Sequence, residues 1–138
     1  MLEIDMIKFA PLLIGSALVV AGCDSQEDQV EDRIEEQAEQ SAQESGDTPV
    51  ALGLTERQLL DAEILAADGT ELGDVEAVTK DADGNATELL IEVEDSDPDR
   101  YVTIPIDGLT VTTRGNDTDL SSEMTMEDIG SLPNAQIQ

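Results

Sequence analysis

Two resources supply the chemistry available to this chain. One is a single thiol, Cys23; the other is a store of 33 acidic side chains set against 6 basic ones in 138 residues. Carboxylates bind hard cations through oxygen, and in pairs they do acid–base work. The missing residue types narrow this further. Without His there is no imidazole base, no Ser-His or Cys-His pair and no His metal ligand. One Cys excludes an intramolecular disulfide and a multi-cysteine zinc site. A net charge of −27 repels phosphate backbones, so nucleic acid is not an expected partner. What remains for catalysis is a carboxylate pair or a Ser-Lys couple. Carboxylates this numerous pair by chance, and Lys80 is the only Lys after Lys8. No catalytic residue and no cofactor are assigned, and no enzymatic activity is expected.

Two acidic stretches have ligand-like spacing. Counted from Asp81, the segment Asp81-Ala-Asp-Gly-Asn-Ala-Thr-Glu-Leu-Leu-Ile-Glu92 carries oxygen side chains at the first, third and fifth positions and Glu at the twelfth, as a calcium-binding EF-hand loop does. Ala86 stands where that loop needs Gly, Glu88 where it carries a hydrophobe, and strand-like runs flank it in place of helices. A plain hairpin turn is the expectation. Asp95-Ser-Asp-Pro-Asp99 also alternates its acids, but Arg100 and Ile106 fall where Gly and Glu belong. It reads as a solvated loop with at most loose affinity for calcium, and no metal ligand is assigned.

Stepping outward from Cys23, Lys8 precedes an unbroken run of 14 uncharged residues, Phe9 to Gly22. A bilayer-spanning helix needs about 20 apolar residues, so the run has the length of a signal-peptide core. Val20-Ala21-Gly22-Cys23 resembles the lipobox of bacterial lipoproteins. That resemblance implies a diacylglyceryl group on the Cys23 thiol, cleavage just before it, and acylation of the new N-terminus. Two or three acyl chains anchor a protein stably where one does not. The alternative is an ordinary secretory signal with a Cys nearby. Glu3 and Asp5 make an acidic leader, whereas a start at Met6 gives the basic leader Met6-Ile7-Lys8-Phe9, so translation is expected to begin at Met6. Asp24 resembles the residue that retains lipoproteins in the inner membrane of enteric bacteria. Residues 1–22 are thus expected to be a signal peptide, and the mature protein a lipoprotein of the bacterial envelope facing the periplasm.

Residues 23–54 read as an acidic tether. From Asp24 to Leu54 there are 10 acidic side chains, one base (Arg33) and no aromatic, too little apolar surface to fold alone. Val30, Ile34 and Ala38 recur every four residues, which allows a solvated helix over roughly Gln26 to Ser41. Ser45-Gly-Asp-Thr-Pro49 ends it. The segment is expected to be a spacer, with a partner-binding helix as the alternative.

Residues 55–138 read as the folded domain. Runs of β-formers, Ala62–Ala66, Leu72–Thr79, Ala86–Val93, Tyr101–Ile104 and Leu109–Thr113, are punctuated by Asp68-Gly69 and Asp83-Gly84, strong hairpin signals. Val75/Ala77/Thr79 and Leu89/Ile91/Val93 alternate as a half-buried sheet would. Five or six short antiparallel strands predict a small barrel or sandwich. Leu120 to Leu132 predicts a closing helical turn, with Thr125 and Asp128 spaced as a capping box and Pro133 beyond. Leu60-Asp-Ala-Glu-Ile-Leu-Ala-Ala-Asp-Gly-Thr-Glu-Leu-Gly-Asp-Val-Glu76 resembles the opening of a PRC-barrel domain. Asp81–Gly84 with Glu88–Val93, Tyr101–Val111 and Met124–Pro133 resemble its later pieces in order, over roughly residues 57 to 133. The resemblance implies a mainly β fold, a small antiparallel PRC-type β-barrel with a short C-terminal helix. It also implies an interaction module without an established catalytic set. The PRC-barrel of the photosynthetic reaction centre H subunit and that of a ribosome maturation factor are both cytoplasmic, unlike an exported chain.

The functional expectation is a membrane-anchored, exported lipoprotein whose PRC-type domain serves as a non-catalytic protein-interaction or envelope-stress module. A calcium- or cation-binding acidic surface protein is the alternative. A limited core of under 80 residues also makes a homodimer an expected partner state. The negative charge is spread over tether and domain alike, with 21 acids and 4 bases from Thr55 onward. Such a surface suits a salty habitat, where carboxylates keep a protein hydrated.

Overall fold

The computed structural model describes residues 26–137. Cys23, the apolar run before it and the two start-site methionines lie outside the described residues.

The first element is a helix, α1 (Gln26–Ser45), longer than the periodicity predicts. A small ribbon follows, β1 (Pro49–Ala51) paired with β2 (Leu54–Thr55), and then a short helix, α2 (Glu56–Leu60). Thr55 caps α2, its side chain accepting from the Gln58 amide while the Gln58 side chain accepts from the Thr55 amide. The main sheet is built from β3 (Glu63–Leu65), β4 (Glu71–Lys80), β5 (Ala86–Val93), β6 (Tyr101–Pro105), β7 (Thr110–Arg114) and β8 (Asp117–Ser121). A last helix, α3 (Met126–Ser131), carries the predicted capping box between Thr125 and Asp128.

The six strands run in the order β6-β5-β4-β3-β8-β7, with β3 and β8 parallel and every other pair antiparallel. This corrects the expected closed antiparallel barrel: the sheet is mixed and open, with β6 and β7 at its edges. Beside β6 lies the C-terminal tail, the Ala135 amide donating to the Tyr101 carbonyl at 2.8 Å. Arg100 fastens that tail from the other side, donating to the Ile129, Gly130 and Leu132 carbonyls and to Asn134 Oδ1.

The expected alternation on β4 is also corrected. The register shifts between Val75 and Ala77, a bulge that leaves Glu76 without a partner across the ladder. Val75 faces Ile91 and Val78 faces Leu89, so the core side resumes at Val78 and not at Ala77. Val75, Ile91 and Val102 lie in one buried row across β4, β5 and β6, with Leu89 and Ile104 beside them. Val50, Leu59, Ile64, Leu109, Leu120 and Ile129 complete this core from the ribbon, both short helices, β3, β8 and the loop before β7. Leu120, expected in the closing helix, lies instead in β8 beside Ile64 of β3.

Gly73 explains why β4 and β5 approach so closely. A methyl group there would lie 2.1 Å from the Glu92 carbonyl oxygen, nearer than any side chain tolerates. The Asp-Gly turns behave as predicted, with Gly69 and Gly84 at φ of +88° and +86°.

The acidic segment is not a free solvated helix. Ile34, Ala38 and Ala42 are buried, and α1 packs against β4 and α2. A helix this polar gains most of its stability from such tertiary packing and little from propensity.

Candidate functional site

The α1 side of the sheet gathers most of the unusual chemistry. At one end, where α1, α2 and β4 meet, Glu56 is completely buried. Its Oε2 accepts from Lys80 Nζ at 2.6 Å and from Ser45 Oγ at 2.5 Å, and Lys80 Nζ also donates to Ser45 Oγ at 2.6 Å. Burial pushes the Glu56 carboxyl up, but the Lys80 ammonium and the Ser41 and Ser45 hydroxyls outweigh it and hold it below the usual value. Glu56 Oε1 has no hydrogen-bond partner among the described residues.

This junction unites Ser45 with Lys80, the one Lys among the described residues. Its hydrogen bonds hold α1, α2 and β4 together.

Along the strands, Glu63, Asp74, Glu92 and Tyr101 stand opposite one another on β3, β4, β5 and β6, forming one row across the sheet. This row lies on the face opposite Val75, Ile91 and Val102, because side chains alternate along each strand. Like charges directly opposite in a sheet destabilise it. Glu76, projected by the bulge, adds another carboxylate, and α1 covers it. A cleft of about 320 Å³ separates helix from sheet, lined by Glu35 and Glu39 of α1, Arg57 and Asp61 at α2, and Asp74 and Glu76 of β4. At the other end of α1, Val30 and Tyr101 line a shared cleft with Gln26, Glu27 and Asp99.

The electrostatics follow from this packing. Burial, then the Glu92, Glu35, Asp74 and Glu31 carboxylates, push Glu76 up to about 7. Burial, then Asp99, Glu31, Asp74 and Glu94, raise Glu92, and burial with Glu63 raises Asp74. The Tyr101 phenol is raised by burial and by Glu92, Glu31, Glu76 and Asp99.

Glu63, Glu71 and Asp74 bring carboxylate oxygens within 4.8 Å of one another, and Arg114 pairs with Glu63 at the edge of this trio. Arg114 Nε also donates to Asp119 Oδ2 at 2.7 Å, while Asp119 Oδ1 accepts from the Glu63 amide, which ties β7 and β8 to β3. A partly exposed group of acids on so acidic a surface carries no metal assignment.

The calcium-like spacing is not assembled. Asp81 Oδ1 accepts from the Asp83 and Asn85 amides at 2.9 Å each, so its carboxylate closes the β4–β5 turn. The Asn85 amide is foremost in lowering its pKa. Glu92 lies at the far end of β5, about 20 Å away at a strand's rise per residue. In the second stretch, Asp95, Asp97 and Asp99 are exposed, and Ser96 organises the loop by bonding the Val93 carbonyl and the Arg100 amide. Cys23 falls outside the described residues.

Glu56, Ser45 and Glu76 are the site residues that sequence reasoning missed. The capping-box spacing of Thr55 and Gln58 marks the first turn of α2, but nothing in it marks Glu56 as buried. No protein-family model matches the chain, and no curated protein matches it.

Proposed function

We propose that the protein is an exported, lipid-anchored module of the bacterial envelope, with Cys23 as the lipid attachment site. Its folded part is proposed to be an open-sheeted relative of PRC-type domains acting through protein interaction and not catalysis. The observation that carries this reading is the single thiol directly after Val20-Ala21-Gly22 at the end of a 14-residue apolar run. That thiol lies three positions before Gln26, the first described residue of α1. A chain anchored there would hold α1, and the sheet packed on it, close to the membrane surface, where envelope partners are met.

The test is fractionation with intact-mass analysis of the membrane-extracted protein. A mature species beginning at Cys23 and carrying acyl chains is expected, and Cys23→Ser should release the protein from the membrane fraction. An unacylated mature chain in the soluble fraction would overturn the anchor. Crosslinking in cells, compared between the full chain and a variant lacking residues 55–138, tests the interaction role; no crosslinked partner that depends on those residues would refute it.

A further inference from the structure

We propose that α1 is a releasable strap on the sheet, held by a narrow apolar ridge and one buried junction, and loosened by like charge so that dissolved salt fastens it. The ridge is Ile34, Ala38 and Ala42, and at its end Val30 and Tyr101 line one cleft. The junction is Ser45 and Lys80 on Glu56. Around these holds the cleft is crowded with carboxylates.

Glu27, Glu31, Glu35 and Glu39 follow one another every four residues, beside the buried ridge on α1. Like charges at that spacing weaken a helix; Glu27 and Asp28 favour the dipole in its first turn, but no basic side chain does so in its last. The same edge faces the strand carboxylates. Glu31 and Glu35 act on Glu76, and Glu31 acts on Glu92 and Tyr101. The groups around Glu76 are Glu31, Glu35 and Glu39 from α1, Asp74 from β4, Glu92 from β5, and Arg57 with Asp61 from α2. Arg57 is the one cation among them, against six carboxylates. The helix is therefore unfavourable when free, and the small Ala38 and Ala42 give it little apolar surface when docked. Screening weakens the exposed carboxylate repulsion more than the buried Glu56–Lys80 junction, because the Debye length falls to about 3 Å at about 1 M salt while buried pairs are screened much less. Protonation of Glu76, raised by its surroundings, acts in the same direction.

Fully released, the helical segment would reach about 30 Å. The strap does not depend on the lipid anchor, so the two can fail separately.

Amide hydrogen exchange on the full chain in detergent tests it, with rates corrected for intrinsic pH effects. At low salt and about pH 8, amides from Ile34 to Ala42 should exchange at least about tenfold faster, relative to Ile91 and Val102, than in about 1 M sodium chloride. Glu76→Gln and, on the exposed side, Glu35→Gln should each slow the low-salt exchange of α1 without altering that of β5. If α1 is as protected as β5 at every salt concentration, or if both variants leave its exchange unchanged, α1 is a permanent part of the fold and the strap is refuted.

Discussion

Glu56 and Lys80 are 24 positions apart, yet their Oε2 and Nζ atoms meet at 2.6 Å, and Glu56 is wholly buried while Lys80 keeps about a fifth of its side chain in solvent. The two members are therefore not equivalent. Lys80→Ala strands a buried carboxylate and should cost about 3 kcal/mol, in line with breaking buried pairs. Glu56→Gln leaves a cation that can turn to water and keeps the shape, so it should cost roughly half as much or less. Urea unfolding of both variants checks the order, and equal losses would contradict the asymmetry in burial.

Gly73→Ala should be among the most damaging single-methyl changes in the domain. The added carbon would sit 2.1 Å from the Glu92 carbonyl oxygen, which is backbone and cannot turn aside. Either β4 and β5 separate or the chain shifts register, and overpacking of this kind costs about 1–3 kcal/mol or more. Gly130→Ala is the control, because nothing lies within 4 Å of its added carbon. Thermal unfolding of the pair should show a clear drop in Tm for Gly73→Ala alone.

Stability should fall as pH rises through neutrality. Glu76 has its folded pKa raised to about 7 from 4.5, so between those values the folded protein binds more protons than the unfolded chain. Stability is thus greatest at the acid end of that window, declines as pH climbs towards 7, and levels off above it. Asp74 and Glu92 are raised as well and act in the same sense. Glu56 is lowered and acts oppositely, its contribution being lost as pH falls below the ordinary carboxylate range. The protein should be about 2 kcal/mol more stable near about pH 5 than near about pH 8, a value reduced from the full shift for solvent screening. Glu76→Gln should flatten the profile, and a profile rising towards pH 8 would contradict the sign.

The strands that alternation predicts are the ones whose apolar residues meet the core directly. Ala86–Val93 coincides with β5, and both Asp-Gly pairs sit at the turns they announce. The failures have physical causes. Asp117-Thr-Asp-Leu-Ser121 holds one large apolar residue and reads as loop or helix start, yet it is a strand because Leu120 docks beside Ile64 and Asp119 pairs with Arg114. The bulge at Glu76 is invisible to a period-two count, since Val75, Ala77 and Thr79 satisfy the alternation before the ladder shifts. The ridge of α1 was visible as Val30, Ile34 and Ala38. Its docking was not, because the strip is too narrow and its flanks too charged for composition to favour burial. The carboxylate cluster shares that fate: each acid is ordinary in sequence, and only the register places Glu63, Asp74 and Glu92 side by side.

The covering of the β6 edge depends on Arg100. Its guanidinium reaches the Gly130 carbonyl at 3.2 Å and Asn134 Oδ1 at 2.6 Å, and it also contacts the Leu132 carbonyl, so one side chain fixes the exit from α3. The tail then turns to let the Ala135 amide bond the Tyr101 carbonyl on the outer side of β6. Exposed edges recruit further strands, and a tail laid along the edge blocks that. Arg100→Ala should cost about 1–2 kcal/mol, the range of a few charge-assisted hydrogen bonds at a partly exposed site. It should also free the tail and leave β6 open. Faster exchange at Ala135 together with concentration-dependent self-association on sizing chromatography is the expected pair of results. Lost stability with an unchanged monomer would mean that the tail does not guard the edge, and that Arg100 serves only to hold α3 in place.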